Sequence, residues 1–218
     1  CKVEGMKKIA KLCNCCGCGA CASICPKQCI KMVADSEGFL YPQVDAATCV
    51  DCGQCEQVRN ELHPYAERTP LKVLAAINKD ENVRQKSSSG GGIFHILAER
   101  IINEGGVVFG ARFDENWQVM MDYAEDMEGM EAFMGSKYVQ ARVENAYKDA
   151  KRFLAQGRKV LFSGTPCQVA GLHQFLHKPY DNLLTVDLIC HGTPSSKVWG
   201  MYLDEVMKEC RKSHCFGL

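Results

Sequence analysis

Beyond about residue 70, apolar positions follow two different periods. Short apolar runs, as at 107–113, predict strands, and apolar residues at three- and four-residue spacing, as at 93–103, predict amphipathic helices. Strands that alternate with helices imply a largely parallel sheet with helices on its faces. The predicted order is a strand at 73–77, a helix at 93–103, strands at 107–113 and 118–123, a helix at 144–155, a strand at 160–162, a helix at 167–176, a strand at 184–189 and a helix at 197–208.

Cysteines dominate the first part of the chain, where eleven of the fifteen lie within 55 residues. The first run has the C-x2-C-x2-C-x3-C-P spacing of bacterial ferredoxins, which lets thiolates converge on one cubane cluster from a tight loop. A second, incomplete run follows, and a short strand and turn at 38–42 lie between the two. The candidate ligands are Cys15, Cys18, Cys21 and Cys25 in the first run and Cys49, Cys52 and Cys55 in the second.

Zinc is the main alternative, because it also binds four cysteines. Zinc sites usually consist of separated cysteine pairs, however, and not of triplets that end in Cys-Pro. The spacing therefore favours 4Fe–4S clusters.

The second run lacks its last ligand. In two-cluster ferredoxins the fourth cysteine of each run ligates the other cluster, so Cys25 completes the cluster of the second run. Arg59 and Asn60 stand where the second run should end in Cys-Pro. The first cluster is then a 3Fe–4S cluster, a 4Fe–4S cluster with a substitute ligand, or missing. The nearby substitutes are Cys13, Cys16 and Cys29, of which Cys16 and Cys29 can equally be small buried hydrophobic residues.

Composition narrows the class of protein. Lys plus Arg equals Asp plus Glu, at 26 each, so no net field attracts nucleic acid or an anionic membrane. No apolar run is long enough to span a bilayer or resembles a signal peptide, and free thiolates need a reducing compartment, which predicts a cytoplasmic protein.

The expected domains are a ferredoxin-like iron–sulfur domain at 1–62 and an α/β domain at 63–218. Because the chain opens without Met, with Met6 as a candidate start, and stops after a helical stretch, we expect a fragment.

One predicted helix follows a Ser/Gly run. Glycines let a backbone approach a phosphate, and the start of a helix offers free N–H groups at the positive end of its dipole. The alternative is an ordinary flexible loop. The run comprises Ser87, Ser88, Ser89, Gly90, Gly91 and Gly92.

Two further loops follow predicted strands, where open α/β sheets bind ligands. In the first, Thr165 can cap a helix and Pro166 suits its first turn, so Cys167 lies where the helix dipole favours a thiolate. The alternative is a buried structural cysteine. In the second, Cys190 and His191 end a strand.

Four ordered motifs, together with the ferredoxin run, resemble the coenzyme F420 hydrogenase/dehydrogenase beta-subunit family. They lie at 86–91, 135–140, 162–168 and 190–195, and the resemblance extends over about residues 13–208. It implies an iron–sulfur flavoprotein of class α+β and α/β, in which a 2x(4Fe–4S) ferredoxin-like module precedes an α/β domain that binds FAD, with a mainly parallel sheet. The family's longer C-terminal part is not matched.

The resemblance also implies roles and partners. Cys167 and Cys190 are candidates to bind a metal or to lie beside the flavin. The FAD contacts that the resemblance implies are Ser87, Ser88, Ser89, Gly90, Gly91, Lys137, Thr165 and Cys167. Expected partners are a ferredoxin or a partner redox subunit and a small-molecule acceptor such as the deazaflavin coenzyme F420. The expected activity is that of an oxidoreductase. The alternatives are an electron-transfer subunit without its own substrate site and an inactive truncated remnant.

Overall fold

A computed structural model describes residues 14–64, 69–87 and 91–213, with side chains to residue 209. Four candidate site residues, Cys13, Ser88, Ser89 and Gly90, lie outside the described residues. Within the described ranges, no helix is long and apolar enough to cross a membrane.

The N-terminal part is ferredoxin-like and consists of short elements around the cysteines. Strands β1 (Ile30–Ala34) and β2 (Leu40–Val44) pair as an antiparallel hairpin. Helix α1 (Ala20–Ile24) begins at Gly19, which adopts a φ of 73°, and α2 (Gln54–Gln57) begins at Gly53. Both glycines adopt the left-handed conformation, which glycine tolerates without steric cost.

The second part is an α/β unit with a four-stranded sheet in the order β4-β3-β5-β6. Strands β3 (Val107–Phe113), β5 (Val160–Gly164) and β6 (Leu183–Asp187) are parallel, and β4 (Val119–Ala124) is an antiparallel edge strand. The mainly parallel sheet is therefore confirmed. The helices are α3 (Glu81–Lys86), α4 (Ile93–Asn103), α5 (Met127–Glu131), α6 (Ala146–Ala155), α7 (Pro166–Leu176) and α8 (Ser196–Ser213).

Successive side chains of the central strands point to opposite faces of the sheet. Phe109 and Phe162 pack with α6 and α7 on one face, whereas Val108 and Leu161 pack with α4 on the other. Both faces are thus covered, as the continuous apolar runs of these strands require.

The ferredoxin-like part and the α/β unit share one hydrophobic core. Ala20 and Val58 are fully buried in the same cluster as Phe109 and Phe162. His63, at the predicted domain boundary, accepts a hydrogen bond through its carbonyl oxygen from the Gln174 side chain at 2.8 Å. The cysteine-rich part is therefore packed against α6 and α7.

The predicted strand at 73–77 is wrong. This segment forms no ladder with any described strand, and Val73, Leu74 and Ile77 have exposed fractions of 83%, 70% and 70%. An apolar run predicts an extended backbone, but a strand also needs a neighbour whose N–H and C=O groups it can pair with. The predicted strand at 184–189 also ends earlier, at Asp187, and the elements β1, α1, α2, α3 and α5 were not predicted.

Candidate functional site

Five cysteines form one group beside the hairpin. The Sγ atoms of Cys25 and Cys29 lie 3.3 Å apart, and the Cys29 thiol also interacts with Cys49. The Cys55 thiol is close enough to the thiols of Cys52 and Cys25 to interact with them electrostatically. The structure thus places Cys25 with the second run, as the exchange of ligands between two clusters requires, although ligation itself stays a prediction.

Four other cysteines surround a separate cavity of about 60 Å³. Cys15, Cys18 and Cys21, the predicted ligands of the first run, line it together with Cys16. Burial, and then the neighbouring Cys15, raise the pKa of Cys21 to about 12. In the absence of metal the Cys21 thiol therefore holds its proton at neutral pH, so metal binding must release it.

The two residues that replace the expected Cys-Pro also line this cavity. The Arg59 side chain is 10% exposed and pairs with Glu61 at 2.6 Å, and its positive charge lowers the pKa of Cys15 and Cys21, although burial outweighs it at both. Asn60 donates through Nδ2 to Cys18 Sγ at 3.9 Å. A cation and an amide donor therefore face the first group where the fourth thiolate was expected.

Helix α7 of the α/β unit packs directly on the first group. Asn60 Nδ2 also donates to the carbonyl oxygen of Cys167 at 3.0 Å. The buried Tyr147 hydroxyl lies 2.9 Å from the Cys18 carbonyl oxygen and 2.8 Å from the Gln168 carbonyl oxygen. A Cβ at Gly171 would lie 2.8 Å from the Tyr147 hydroxyl oxygen and 3.3 Å from Cys18 Sγ, so glycine leaves room for this close approach.

Cys167, one of the described cysteines of the α/β unit, contacts the first group. Its thiol hydrogen-bonds with Cys16, and this contact, followed by burial, raises the pKa of Cys167. The Thr165 hydroxyl lies 3.2 Å from Cys167 Sγ. Cys190 and His191, in contrast, are exposed in the loop after β6.

The number and spacing of the described cysteines suit iron–sulfur clusters. No three His, Cys, Asp or Glu side chains among the described residues are spaced to hold one ion. A cubane is larger than one ion, and its ligating thiolates stand further apart around it. Two groups of thiols, each with at least three members at ferredoxin spacing, suit that donor set.

The described part of the Ser/Gly run lies at the start of α4. Gly91 and Gly92 adopt positive φ angles of 60° and 75°, and a Cβ at Gly92 would lie 2.8 Å from the Asn78 side chain. Asn78 also donates to the Gly91 carbonyl oxygen through its backbone N–H at 2.7 Å. The Ser87 hydroxyl is used locally, because it donates to the Val83 carbonyl oxygen.

Lys137 is partly buried after α5. Its Nζ donates to the carbonyl oxygens of Ala132 at 2.7 Å and Met134 at 2.8 Å. Burial lowers the pKa of Lys137 to about 8. An ammonium has three donors, so at most one is left for a ligand while both contacts persist.

The α7 N-terminus has the predicted form, with Thr165 as the N-cap and Pro166 in the first turn. Gln168 Oε1 accepts from the Thr165 backbone N–H at 3.0 Å and lies 3.1 Å from the Thr165 hydroxyl. This capping arrangement fixes the turn that carries Cys167.

Residues of two motifs meet at the ferredoxin-like hairpin. Gln140 donates through its backbone N–H to the Pro194 carbonyl oxygen at 3.0 Å, and its side chain accepts from the Leu40 backbone N–H at 2.9 Å. The buried Ser195 hydroxyl donates to the Glu37 carbonyl oxygen at 2.6 Å. These contacts give the motifs a structural role in holding the two parts together.

Sequence reasoning missed Tyr147 and the bridging role of Asn60. Tyr147 lies in an amphipathic helix with nothing to distinguish it from a core residue. The departure from Cys-Pro at Arg59 and Asn60 was visible in the sequence, but their contacts depend on how α7 packs.

Comparisons with known proteins match two parts of the chain. Residues 14–58 match the 4Fe–4S dicluster domain family. Residues 157–212 match the family described as the C terminus of the coenzyme F420 hydrogenase/dehydrogenase beta subunit.

The chain is also similar to two individual proteins. An uncharacterized protein of Methanocaldococcus jannaschii is 24% identical over 83% of this chain, which spans 60% of that protein's length. A chain of the F420-reducing NiFe hydrogenase complex from Methanosarcina barkeri is 23% identical, with a TM-score of 0.48 over 59% of this chain and 47% of that chain.

Proposed function

Since the chain belongs to the coenzyme F420 hydrogenase/dehydrogenase beta-subunit family and carries a 4Fe–4S dicluster domain, we propose that it is part of an iron–sulfur flavoprotein oxidoreductase. In this proposal the α/β unit binds FAD, a ferredoxin or partner redox subunit supplies electrons, and a two-electron acceptor such as coenzyme F420 receives them. Clusters carry single electrons, whereas a flavin can collect two and pass on a hydride.

The observation that carries the proposal is the packing of the first cysteine group against α7. Helix α7 begins at the carboxyl end of β5, the edge at which open α/β sheets bind ligands. A tight turn ending at Gly106 connects the end of α4 to the start of β3. The end of α4 therefore lies at the amino edge of the sheet, and its start lies toward the carboxyl edge. A flavin at this edge would lie close to the first group.

The proposed FAD contacts are the Ser/Gly run, Lys137, Thr165 and Cys167. The start of α4 offers free N–H groups to a phosphate, and Lys137 offers a positive charge. The proposed domain division, with the boundary near residue 62, assigns all of these residues to the α/β unit.

A specific observation favours the alternative of an electron-transfer subunit without its own substrate site. The Ser87 hydroxyl and two Lys137 donors are occupied by backbone carbonyl oxygens. These groups must exchange those partners before they can bind a cofactor phosphate.

The test is an anaerobic reconstitution of the chain with iron, sulfide and FAD, followed by gel filtration and a count of iron and flavin per chain. We expect about one FAD and about eight irons for two cubane clusters, or about four if only the second group is loaded. Addition of reductant and coenzyme F420 should then bleach the deazaflavin absorbance.

A matched pair of variants tests the flavin site. Lys137→Gln should weaken FAD retention, whereas Lys72→Gln, at an exposed position without a described partner, should not. Iron without flavin in the wild-type chain would favour the electron-transfer subunit. A wild-type chain that retains neither iron nor flavin would favour an inactive remnant.

A further inference from the structure

The second cysteine group contains a thiol outside the ferredoxin spacing. Cys29 is 6% exposed, and its Sγ lies 3.3 Å from that of Cys25, which is 9% exposed. The same thiol interacts with Cys49. Cys29 therefore contacts two of the four candidate ligands of the second cluster.

The backbone after Cys25 is built to return Cys29 to it. Gln28 donates through its backbone N–H to the Cys25 carbonyl oxygen at 3.1 Å and adopts a φ of 52°, which L-residues rarely do. The Cys29 carbonyl oxygen accepts from the Asp45 backbone N–H at 2.8 Å, which ties Cys29 to the hairpin. A tight turn on one side and the hairpin on the other fix the sulfur–sulfur contact.

Ligation decides which sulfur donates. When Cys25 binds iron, an Fe–S bond replaces its S–H bond and the proton leaves to solvent. Cys25 is then an acceptor only, and the proton that remains in the pair is on Cys29. The contact becomes an S–H donor facing a thiolate ligand.

We propose that Cys29 is a potential-tuning residue, whose thiol donates a hydrogen bond to the Cys25 thiolate and raises the reduction potential of the second cluster. This inference rests on the iron–sulfur part of the proposed function. A reduced cluster carries one more negative charge than the oxidised one, so a donor to its ligand stabilises the reduced form more. Burial of both sulfurs keeps water from replacing this donor.

The experiment is a redox titration of the reconstituted full chain, followed by electron paramagnetic resonance under anaerobic conditions. Cys52→Ser first identifies the signal of the second cluster, which this variant should lose. Cys29→Ala should keep the iron content but shift that signal to a more negative midpoint potential. Cys29→Ser, which keeps a hydroxyl donor, should stay close to the wild-type potential, and Cys16→Ala, which removes a thiol beside the other group, should not shift it.

Three results would overturn the inference. An unchanged potential in Cys29→Ala would show that the contact has no effect on the cluster. Equal shifts in the Ala and Ser variants would assign the effect to packing, and loss of the second cluster in Cys29→Ala would make Cys29 a ligand. A wild-type chain that holds no iron would instead refute the iron–sulfur premise itself.

Discussion

At the scale of single residues, the two cysteine groups differ in what surrounds them. The second group has an additional thiol, Cys29, whereas the first has Arg59 and Asn60 where its fourth thiolate was expected. A positive charge and an amide donor beside the first group favour thiolates and a more negatively charged cluster. The two cysteine groups therefore differ in the charged and polar side chains beside them.

Lys137 gives a pH-dependent prediction at this scale. Burial lowers its pKa from 10.5 to about 8 in the folded chain, so between these values the unfolded chain binds more protons. The free energy of unfolding of the metal-free chain should therefore rise with pH across this window through Lys137. Urea unfolding of the wild type and of Lys137→Met at several pH values isolates this contribution, because cysteine titration is common to both.

The control for Lys137 is Lys72→Met, at an exposed position. This variant should keep the wild-type dependence on pH, whereas Lys137→Met should have a smaller slope between about pH 8 and about pH 10.5. Identical slopes in all three proteins would contradict the assigned burial of the Lys137 ammonium.

At the scale of elements, α7 joins the first cysteine group to the sheet. Its capping depends on Gln168, which is 7% exposed and whose side chain accepts from the Thr165 backbone N–H. The same turn holds Cys167 against Cys16. Stability and the geometry of the first group therefore depend on one cap.

Gln168→Ala should lower stability by about 1 kcal/mol, the usual size of a lost capping interaction. For a chain of this length, that corresponds to a decrease in Tm of roughly 2–4 °C. Anaerobic thermal unfolding measures it, with Gln85→Ala at an exposed position of α3 as the control. Equal melting temperatures for the two variants would mean that the cap is not needed.

The elements that the sequence predicted best are those with a strong local signal. The strand at 107–113 and the helix at 93–103 have the predicted bounds, because apolar periodicity specifies both locally and a glycine turn follows the helix. The segment at 73–77 has an equally apolar pattern but no strand beside it among the described residues. Pairing is a non-local property, and a single apolar run contains no information about it.

The candidate site was also predictable from the sequence only where the signal is local. Cysteine spacing identified the ligand candidates, and the Thr-Pro pair identified the α7 cap, from local sequence alone. The contacts of Tyr147, Asn60 and Cys29 were not predictable, because they arise where segments far apart in sequence pack together. Tyr147, for example, contacts Cys18 and Gln168, which are 129 and 21 residues away from it in sequence.

At the scale of the whole molecule, the ferredoxin-like part and the α/β unit share one hydrophobic core. Buried Cys21, Cys25 and Cys29 belong to the same cluster as Phe162 and Leu172. A second, smaller core on the other face of the sheet contains Val108, Leu161 and Met130 and none of the described cysteines. Iron bound by the cysteines should therefore stabilise one face of the sheet more than the other.

Removal of iron tests this coupling. When an anaerobic chelator strips the reconstituted chain, backbone amides of α1 and α7 should exchange hydrogen faster, because both helices pack on the first cysteine group. Amides of α5, which packs with the second core, should change little and act as the internal control. Hydrogen exchange followed by mass spectrometry resolves these peptides in one experiment. Faster exchange confined to residues 14–64, with α7 unchanged, would mean that the iron–sulfur part unfolds independently of the α/β unit, despite the core they share.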